Sequence, residues 1–308
     1  MELIFLGTGA GIPSKERNMS SIALRWPNYG GDTWLFDCGE GTQHRVLTSM
    51  VKLTRMSRLF ITHLHGDHIF GLPGLLASRS FQEGDRPLTI YGPQGLETFL
   101  RETLEVSGTH LRYPLIFQEV DDGSEFTCNG IRVRAARLEH GITCFGYRIE
   151  EPDRPGALRV DLLNRDRVPP GPHYRQLKEG KQVRLPDGRI LDGKDYLSTP
   201  KRGRRVAILG DTRPTPAAVE LARDVDLLVH EATYGRERED LAREHFHSTT
   251  IQAAEIARAA GVRRLILTHI SPRYTLAEGE SLAEEARVLF PEAEVAKDGK
   301  TVTVEWGE

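Results

Sequence analysis

Cysteine is scarce. Cys38, Cys128 and Cys144 are the three in 308 residues, and no two of them have CxxC spacing. An odd, scattered set does not build a disulfide framework, so it suits a reducing compartment and small buried hydrophobes. Long apolar runs are missing too: none approaches the roughly 18 residues of a membrane-spanning helix. The first residues, MELIFLGTGAG, have neither the basic segment nor the small-residue cleavage site of a signal peptide. The expectation is a soluble cytoplasmic protein with no membrane partner. A net charge of only −3 does not announce a polyanionic ligand either. There is no low-complexity segment, no short-period repeat and no GxxxxGK[ST] phosphate loop.

What remains is an ordinary globular composition, 39% hydrophobic and 28% charged, able to bury a sizeable core in one or two domains. The charge is unevenly spread. Residues 151 to 205 hold fourteen Lys/Arg against eight Asp/Glu, a local balance of +6, which leaves the remainder near −9. Short apolar runs at 3–9, 34–41, 58–65, 88–93, 131–140, 205–211, 227–233 and 264–270 read as strands. QGLETFLRETLEV and TTIQAAEIARAAGV read as helices, the second opening with Thr249 and Gln252 in capping-box spacing and closing at Gly261. The pattern predicts an α/β protein with a sheet core and outer helices. Residues 150 to 204, rich in Pro, Gly and charge and poor in periodicity, read as an inserted, partly flexible arm between two αβ halves.

ITHLHGDHIFGLPGLL, residues 61 to 76, follows a strand and carries His63, His65, Asp67 and His68 within six positions. Spaced two apart, His63 and His65 share one side of an extended chain. His140, Asp211 and His269 each stand at the exit of another apolar strand, and in α/β sheets those exits share an edge. Taken singly, His140 or His269 would more often be a satisfied core or loop histidine, and Asp211 a turn cap. The HxHxDH cluster differs: three imidazoles and a carboxylate buried unpaired would cost a few kcal/mol each, whereas a cation satisfies them together.

HLHGDH followed by separate His, Asp and His resembles the metallo-β-lactamase superfamily. PSKERN (13–18), GDT (210–212), HEAT (230–233), HST (247–249) and an arm containing PPGP (169–172) narrow the resemblance to the ribonuclease Z family, in order along essentially the full chain. The resemblance implies a metallo-β-lactamase fold, an αββα sandwich of two sheets flanked by helices: one domain over 1–308, with 150–204 an inserted basic arm serving as a tRNA-binding exosite. It implies that His63, His65 and His140 hold one zinc, that Asp67, His68 and His269 hold a second, and that Asp211 bridges them. Two Zn²⁺ per subunit is the expectation, and Mn²⁺, Co²⁺ or Fe²⁺ is not excluded by affinity order alone. The activity implied is removal of the 3′ trailer from precursor tRNA, leaving a 3′-hydroxyl on the tRNA and a 5′-phosphate on the trailer. The partner is precursor tRNA, not DNA, and the family usually works as a homodimer.

Asp67 is then the candidate general base. His247 is the candidate acid for the leaving 3′-oxygen, oriented and kept protonated by Glu231, with His230 in support. The start of the helix at 249 also offers backbone N–H groups to a phosphate. Lys15 and Arg17 of PSKERN, and Arg165, Arg167, Arg175, Lys178 and Lys181 of the arm, are candidate RNA contacts, acting through phosphate neutralisation. Two stretches tempt over-reading. GTGAG (7–11) is taken as a strand-exit turn, and Asp37 and Glu40 of DCGEG as turn residues, Asp37 a structural aspartate in the family. Two other classes of function stay open: a superfamily hydrolase of a small phosphodiester, thioester or lactone, and an idle RNA-binding module, for which a metal ligand should be missing.

Overall fold

A computed structural model describes residues 1–82 and 84–307. The chain divides into two compact units, Met1–Ile149 with Arg205–Val304, and Glu150–Arg204 with the C-terminal residues from Glu305.

The larger unit holds two seven-stranded sheets. In the first, β1 (Glu2–Gly7), β2 (Ser21–Trp26), β3 (Asp32–Phe36), β4 (Met56–Phe60), β5 (Leu88–Gly92) and β6 (Leu115–Glu119) follow in order, and the last strand of the chain, Thr301–Thr303, lies outside β1. The second contains β7 (Glu125–Cys128), β8 (Ile131–Leu138), β9 (Cys144–Glu150), then β12 (Arg205–Ile208), β13 (Leu227–Glu231), β14 (Leu265–Thr268) and β15 (Ala293–Val295); β10 and β11 belong to the smaller unit. β3 to β6 pair in parallel, as do β12 to β15, so their C-terminal ends lie along common edges.

One hydrophobic cluster joins the sheets face to face, with Trp26, Trp34, Phe36 and Phe60 from the first and Tyr147, Val206, Val229 and Ile266 from the second. Phe60 stacks on Phe36 and on Tyr91, with ring centroids 5.0 and 4.6 Å apart. The outer face of the first sheet is covered by α1 (Thr42–Leu47), α3 (Leu72–Phe81) and α4 (Leu96–Val106), that of the second by α7 (Pro216–Ala222), α9 (Thr250–Ala260) and α10 (Glu278–Arg287). α9 lies close to its sheet because Ala253, Ala254, Ala257 and Ala260 form its buried face. Its ends are those the sequence predicts: a Thr249–Gln252 capping box and Gly261 at φ 65°. Pro73 does not break α3, because it sits in the first turn, where its missing N–H is not needed.

All eight predicted strand regions contain strands, each shorter than the apolar run. The loops that follow carry the candidate site residues. Asp67 and His68 fall in a one-turn helix, α2 (Gly66–Ile69), where the sequence suggested a turn.

The smaller unit corrects the picture of residues 150–204 as irregular. It contains α5 (Val160–Arg165), α6 (His173–Lys178) and an antiparallel hairpin of β10 (Gln182–Arg184) and β11 (Ile190–Asp192). Leu163, Val168, Leu177, Val183, Leu185, Leu191 and Tyr196 pack into their own cluster. Its base is closed by the buried Glu151–Arg204 pair, at 2.6 Å, and by Arg154 and Arg204 over the Trp306 ring. These elements are of three to six residues and hold only one to three apolar residues each, among Pro, Gly and charge, too few to show a pattern.

Candidate metal centre and acid dyad

The loop after β4 stays extended, so His63 and His65 project together, and His63 Nε2 lies 3.0 Å from His65 Nδ1. The second sheet holds that loop in place: Phe145 N donates to Thr62 O at 2.9 Å and Tyr147 OH to Ile61 O at 2.7 Å. His140 leaves β8 with its Nε2 3.2 Å from His65 Nδ1. These three and Asp211 form one group of mutually close donors; Asp67, His68 and His269 form another. His68 and His269 face each other through their Nε2 atoms at 3.2 Å, and His269 Nε2 lies 3.3 Å from Asp67 Oδ2. Asp211 Oδ2 reaches both groups, at 3.6 Å from His63 and at 3.4 and 3.2 Å from His68 and His269. All seven predicted ligands are therefore together, with Asp211 between the groups.

The donors fit a divalent metal. A tetrahedral site with bonds of about 2.0–2.2 Å has donor–donor edges of about 3.3 Å, and most separations within the two groups run from 3.0 to 3.6 Å. The far ring nitrogens support the same orientation. Thr62 Oγ1 donates to Asp37 Oδ2, so it accepts from His63 Nδ1, and Thr233 Oγ1 donates to Glu231 Oε2, so it accepts from His269 Nδ1. His68 Nδ1 bonds Asp37 Oδ2 at 2.8 Å, and His140 Nδ1 bonds the Phe246 carbonyl at 3.0 Å. Each of these four rings thus turns Nε2 to the centre, the arrangement that fixes a ligating tautomer.

Electrostatics agree. Burial pushes the His63 ring well below its ordinary value and lowers His65 and His140 as well, leaving neutral imidazoles. Burial opposes ionisation of Asp211, yet the imidazoles of His269, His68 and His63 hold it well below the carboxylate range. Burial also works against a charge on His68, but Asp211 and Asp37 outweigh it and raise that ring, so a cation would replace its proton.

Beside this cluster, His247 Nδ1 lies 2.8 Å from Glu231 Oε1. Burial would lower the His247 value, but the Glu231 charge and hydrogen bond raise it to about 9. Glu231 is buried and accepts from Thr212 N, Thr233 N, Thr233 Oγ1 and Ser248 N as well as from His247. His247 also lies close to Asp211 and His269, but an imidazolium has no lone pair to offer a metal. A cleft of about 580 Å³ opens on these groups, lined by Ala10, Gly11, His65, Asp67, His247 and Arg273 among others. Gly11 N donates to Asp67 Oδ2 at 2.8 Å, so the GTGAG turn does touch the site.

Three expectations need correction. The start of α9 is not open to phosphate: the amides of Ser248, Thr249, Thr250 and Gln252 are taken by Glu231 Oε1, Gln252 Oε1, Tyr234 O and Thr249 Oγ1. His230 does not support His247; its Nδ1 bonds the Glu231 carbonyl at 2.6 Å and its Nε2 is buried without a partner among the described residues. Arg17 is not a surface cation but 2% exposed, its side chain turned inward with Nη1 on Thr8 Oγ1 and the Ala296 carbonyl. Lys15 is exposed, as are Arg165, Arg167, Arg175, Lys178 and Lys181 of the smaller unit. Thr62, Thr233 and the Phe246 carbonyl, which bond the rings of His63, His269 and His140, are partners of the candidate ligands that sequence reasoning missed. A pointer existed for one of them, since Thr233 ends HEAT.

Two mixed sheets flanked by helices, with a His/Asp cluster at the strand exits, define a metallo-β-lactamase fold. A family model described as "Beta-lactamase superfamily domain" matches residues 196–270, and one described as "Anti-Pycsar protein Apyc1" matches residues 1–151. The chain is similar to a Ribonuclease Z of Geobacillus kaustophilus, 52% identical over 307 residues and 100% of both chains. It is likewise similar to one of Bacillus cereus, 54% identical over 306 residues, 99% of this chain and 100% of that one. The solved structure of human tRNase Z, short form, superposes over 99% of this chain and 100% of its own, at 32% identity and TM-score 0.71. The chain belongs to the ribonuclease Z family, metal-dependent endoribonucleases of the metallo-β-lactamase superfamily.

Proposed function

We propose that this chain removes the 3′ trailer from precursor tRNA with two Zn²⁺ per subunit, leaving a 3′-hydroxyl on the tRNA and a 5′-phosphate on the trailer. His63, His65, His140 and Asp211 would hold one ion, and Asp67, His68, His269 and Asp211 the other. Bound there, the ions supply Lewis-acid polarisation of the phosphodiester and make water acidic enough to attack at neutral pH. Mn²⁺ or Co²⁺ would substitute on the same donors.

Asp67, held by Gly11 N, takes the proton of the attacking water. His247 enters as imidazolium, and because Nδ1 is committed to Glu231, Nε2 gives the proton to the leaving 3′-oxygen. Glu231 keeps the ring charged and oriented. The exposed cations of residues 150–204 act as an exosite, meeting tRNA phosphates without reading bases, and Lys15 contacts the nucleotides near the cut. The homodimer and the cytoplasmic location are part of the same proposal.

The observation that carries the reading is the His247–Glu231 pair beside the seven donors, because a phosphodiester needs both an activated water and a protonated leaving group. The test is a 3′-extended tRNA transcript, with the cut mapped and both ends analysed for wild type, Asp211→Ala and a protein lacking 151–204. A single cut at the trailer, lost in Asp211→Ala, with tRNA binding lost in the deletion, is expected. Cleavage of short diesters by the deletion protein, with intact precursor never cut, would point instead to a small-molecule hydrolase.

A further inference from the structure

We propose that Arg213 and Phe246 form a positioning clamp, which fixes the loop before α9 so that its backbone serves His140 while its next residue, His247, serves the leaving group. The inference rests on the reading of His140 as a ligand and His247 as the acid.

Phe246 lies in the left-handed region, at φ 59°, a conformation an aromatic residue keeps only when its surroundings impose it. That backbone turn aims its carbonyl at His140 Nδ1, 3.0 Å away, and leads into His247, whose N donates to Ala242 O at 2.8 Å. One strained residue thus sets two functional rings. The helix-end bond from His247 N to Ala242 O closes the helix Glu239–Glu244 and sets this turn; Arg213, two residues after Asp211, holds the Phe246 ring. Its guanidinium carbon lies 3.8 Å from the centroid of the Phe246 ring. Its Nη2 donates to Arg243 O at 3.2 Å and its Nη1 lies 3.4 Å from Glu139 Oε1, while its backbone N donates to Glu139 O at 3.0 Å. Arg213 therefore ties together the Asp211 loop, the residue before His140 and the loop before His247. Its Nε is buried without a partner among the described residues, while the guanidinium lies over the ring. A guanidinium can cover a ring and still bond outward from two edges; an ammonium cannot.

Without the clamp, the helix-end turn is no longer tied to the loops of Asp211 and His140, the Phe246 carbonyl drifts from His140 Nδ1, and both rings lose their bearings. The test uses full-length protein freed of metal and titrated with CoCl₂, followed by its visible spectrum, and then turnover of a 3′-extended tRNA transcript. Arg213→Met and Phe246→Leu are expected to weaken Co²⁺ binding about 10- to 100-fold, the usual range for losing an outer-sphere partner. Turnover should fall about tenfold or more while KM stays within about twofold, as for groups that act on the chemistry and not on binding. Phe246→Tyr, which keeps the stacking face, should retain more affinity than Phe246→Leu. Glu139→Gln at the solvent-exposed end should give a smaller fall, and it decides the matter if Arg213→Met does not fold by circular dichroism.

Wild-type protein that binds no Co²⁺ would overturn the reading of the site on which the clamp stands. Wild-type protein that binds it, with Arg213→Met or Glu139→Gln and Phe246→Leu titrating and turning over alike, would overturn the clamp itself. Equal impairment in Phe246→Tyr and Phe246→Leu would overturn the stacking.

Discussion

The seven-donor cluster and the unit of residues 150–204 both concentrate charge, but they manage it in opposite ways. In the cluster His63, His68, Asp211 and His269 are buried, Asp67 and His140 are partly so and His65 stands at the exposed mouth, and each far nitrogen of His63, His68, His140 and His269 has a fixed partner. In the smaller unit, apart from the buried Glu151–Arg204 pair, the pairs are exposed and local: Arg159 with Asp161, Arg165 with Asp166, Lys181 with Glu179, Arg189 with Asp187. Buried networks are costly to break singly, whereas exposed pairs contribute little and are screened by salt. Chemistry should therefore be sensitive to single atoms, and RNA capture to the sum of many weak contacts.

The contrast is broken most severely at Asp211. Asp211→Ala removes the donor shared by both groups, and turnover should fall about 10³-fold or more, read as product per active chain with bound metal measured in parallel. Next come Glu231→Gln and His247→Asn, each expected to lower turnover about 10²- to 10⁴-fold with little change in bound metal. The pH profile sharpens this. His247 is raised to about 9 from an ordinary 6.5, so the proton needed for departure is held at neutral pH and activity should decline as pH rises through about 9. Glu231→Gln should move that decline toward lower pH. The sign for stability is the same: a raised imidazole stabilises the fold fully below 6.5 and loses that contribution as pH climbs through about 9.

Smaller effects are expected in the other region. Replacing Arg165, Arg175, Lys178 and Lys181 by Ala should weaken precursor tRNA binding and flatten its salt dependence by about one or less per charge, with saturated turnover within about twofold. The smallest functional effect is expected at Arg17. Arg17→Met should cost about 1–3 kcal/mol of stability, since Thr8 Oγ1 and the Ala296 carbonyl lose a buried donor. Its tRNA affinity should stay near wild type in a filter-binding titration.

The same contrast explains what the sequence made legible. His63, His65, Asp67, His68, His140, Asp211 and His269 stand out because ligand types at strand exits are chemically distinctive and strand exits share an edge. Thr62, Thr233 and the Phe246 carbonyl carry no such mark, since a hydroxyl or carbonyl becomes an outer-sphere partner only through tertiary placement. The open helix start failed for a related reason: Glu231, Gln252 and Thr249 side chains reached the amides first. Arg17 reads as one more surface cation until the fold turns its side chain inward behind the exposed residues 13–16. Eight strands were visible as apolar runs, whereas β2, β6, β7, β9 and β15 were not, nor were the elements of 150–204, whose few apolar residues stand among Pro, Gly and charge.

The most direct test is elemental analysis of active, dialysed wild-type protein beside Asp211→Ala. About two divalent transition-metal ions per wild-type chain, with few or none retained by the variant, is the predicted result. Fully active wild-type protein that carries no such ion would contradict the account at its centre.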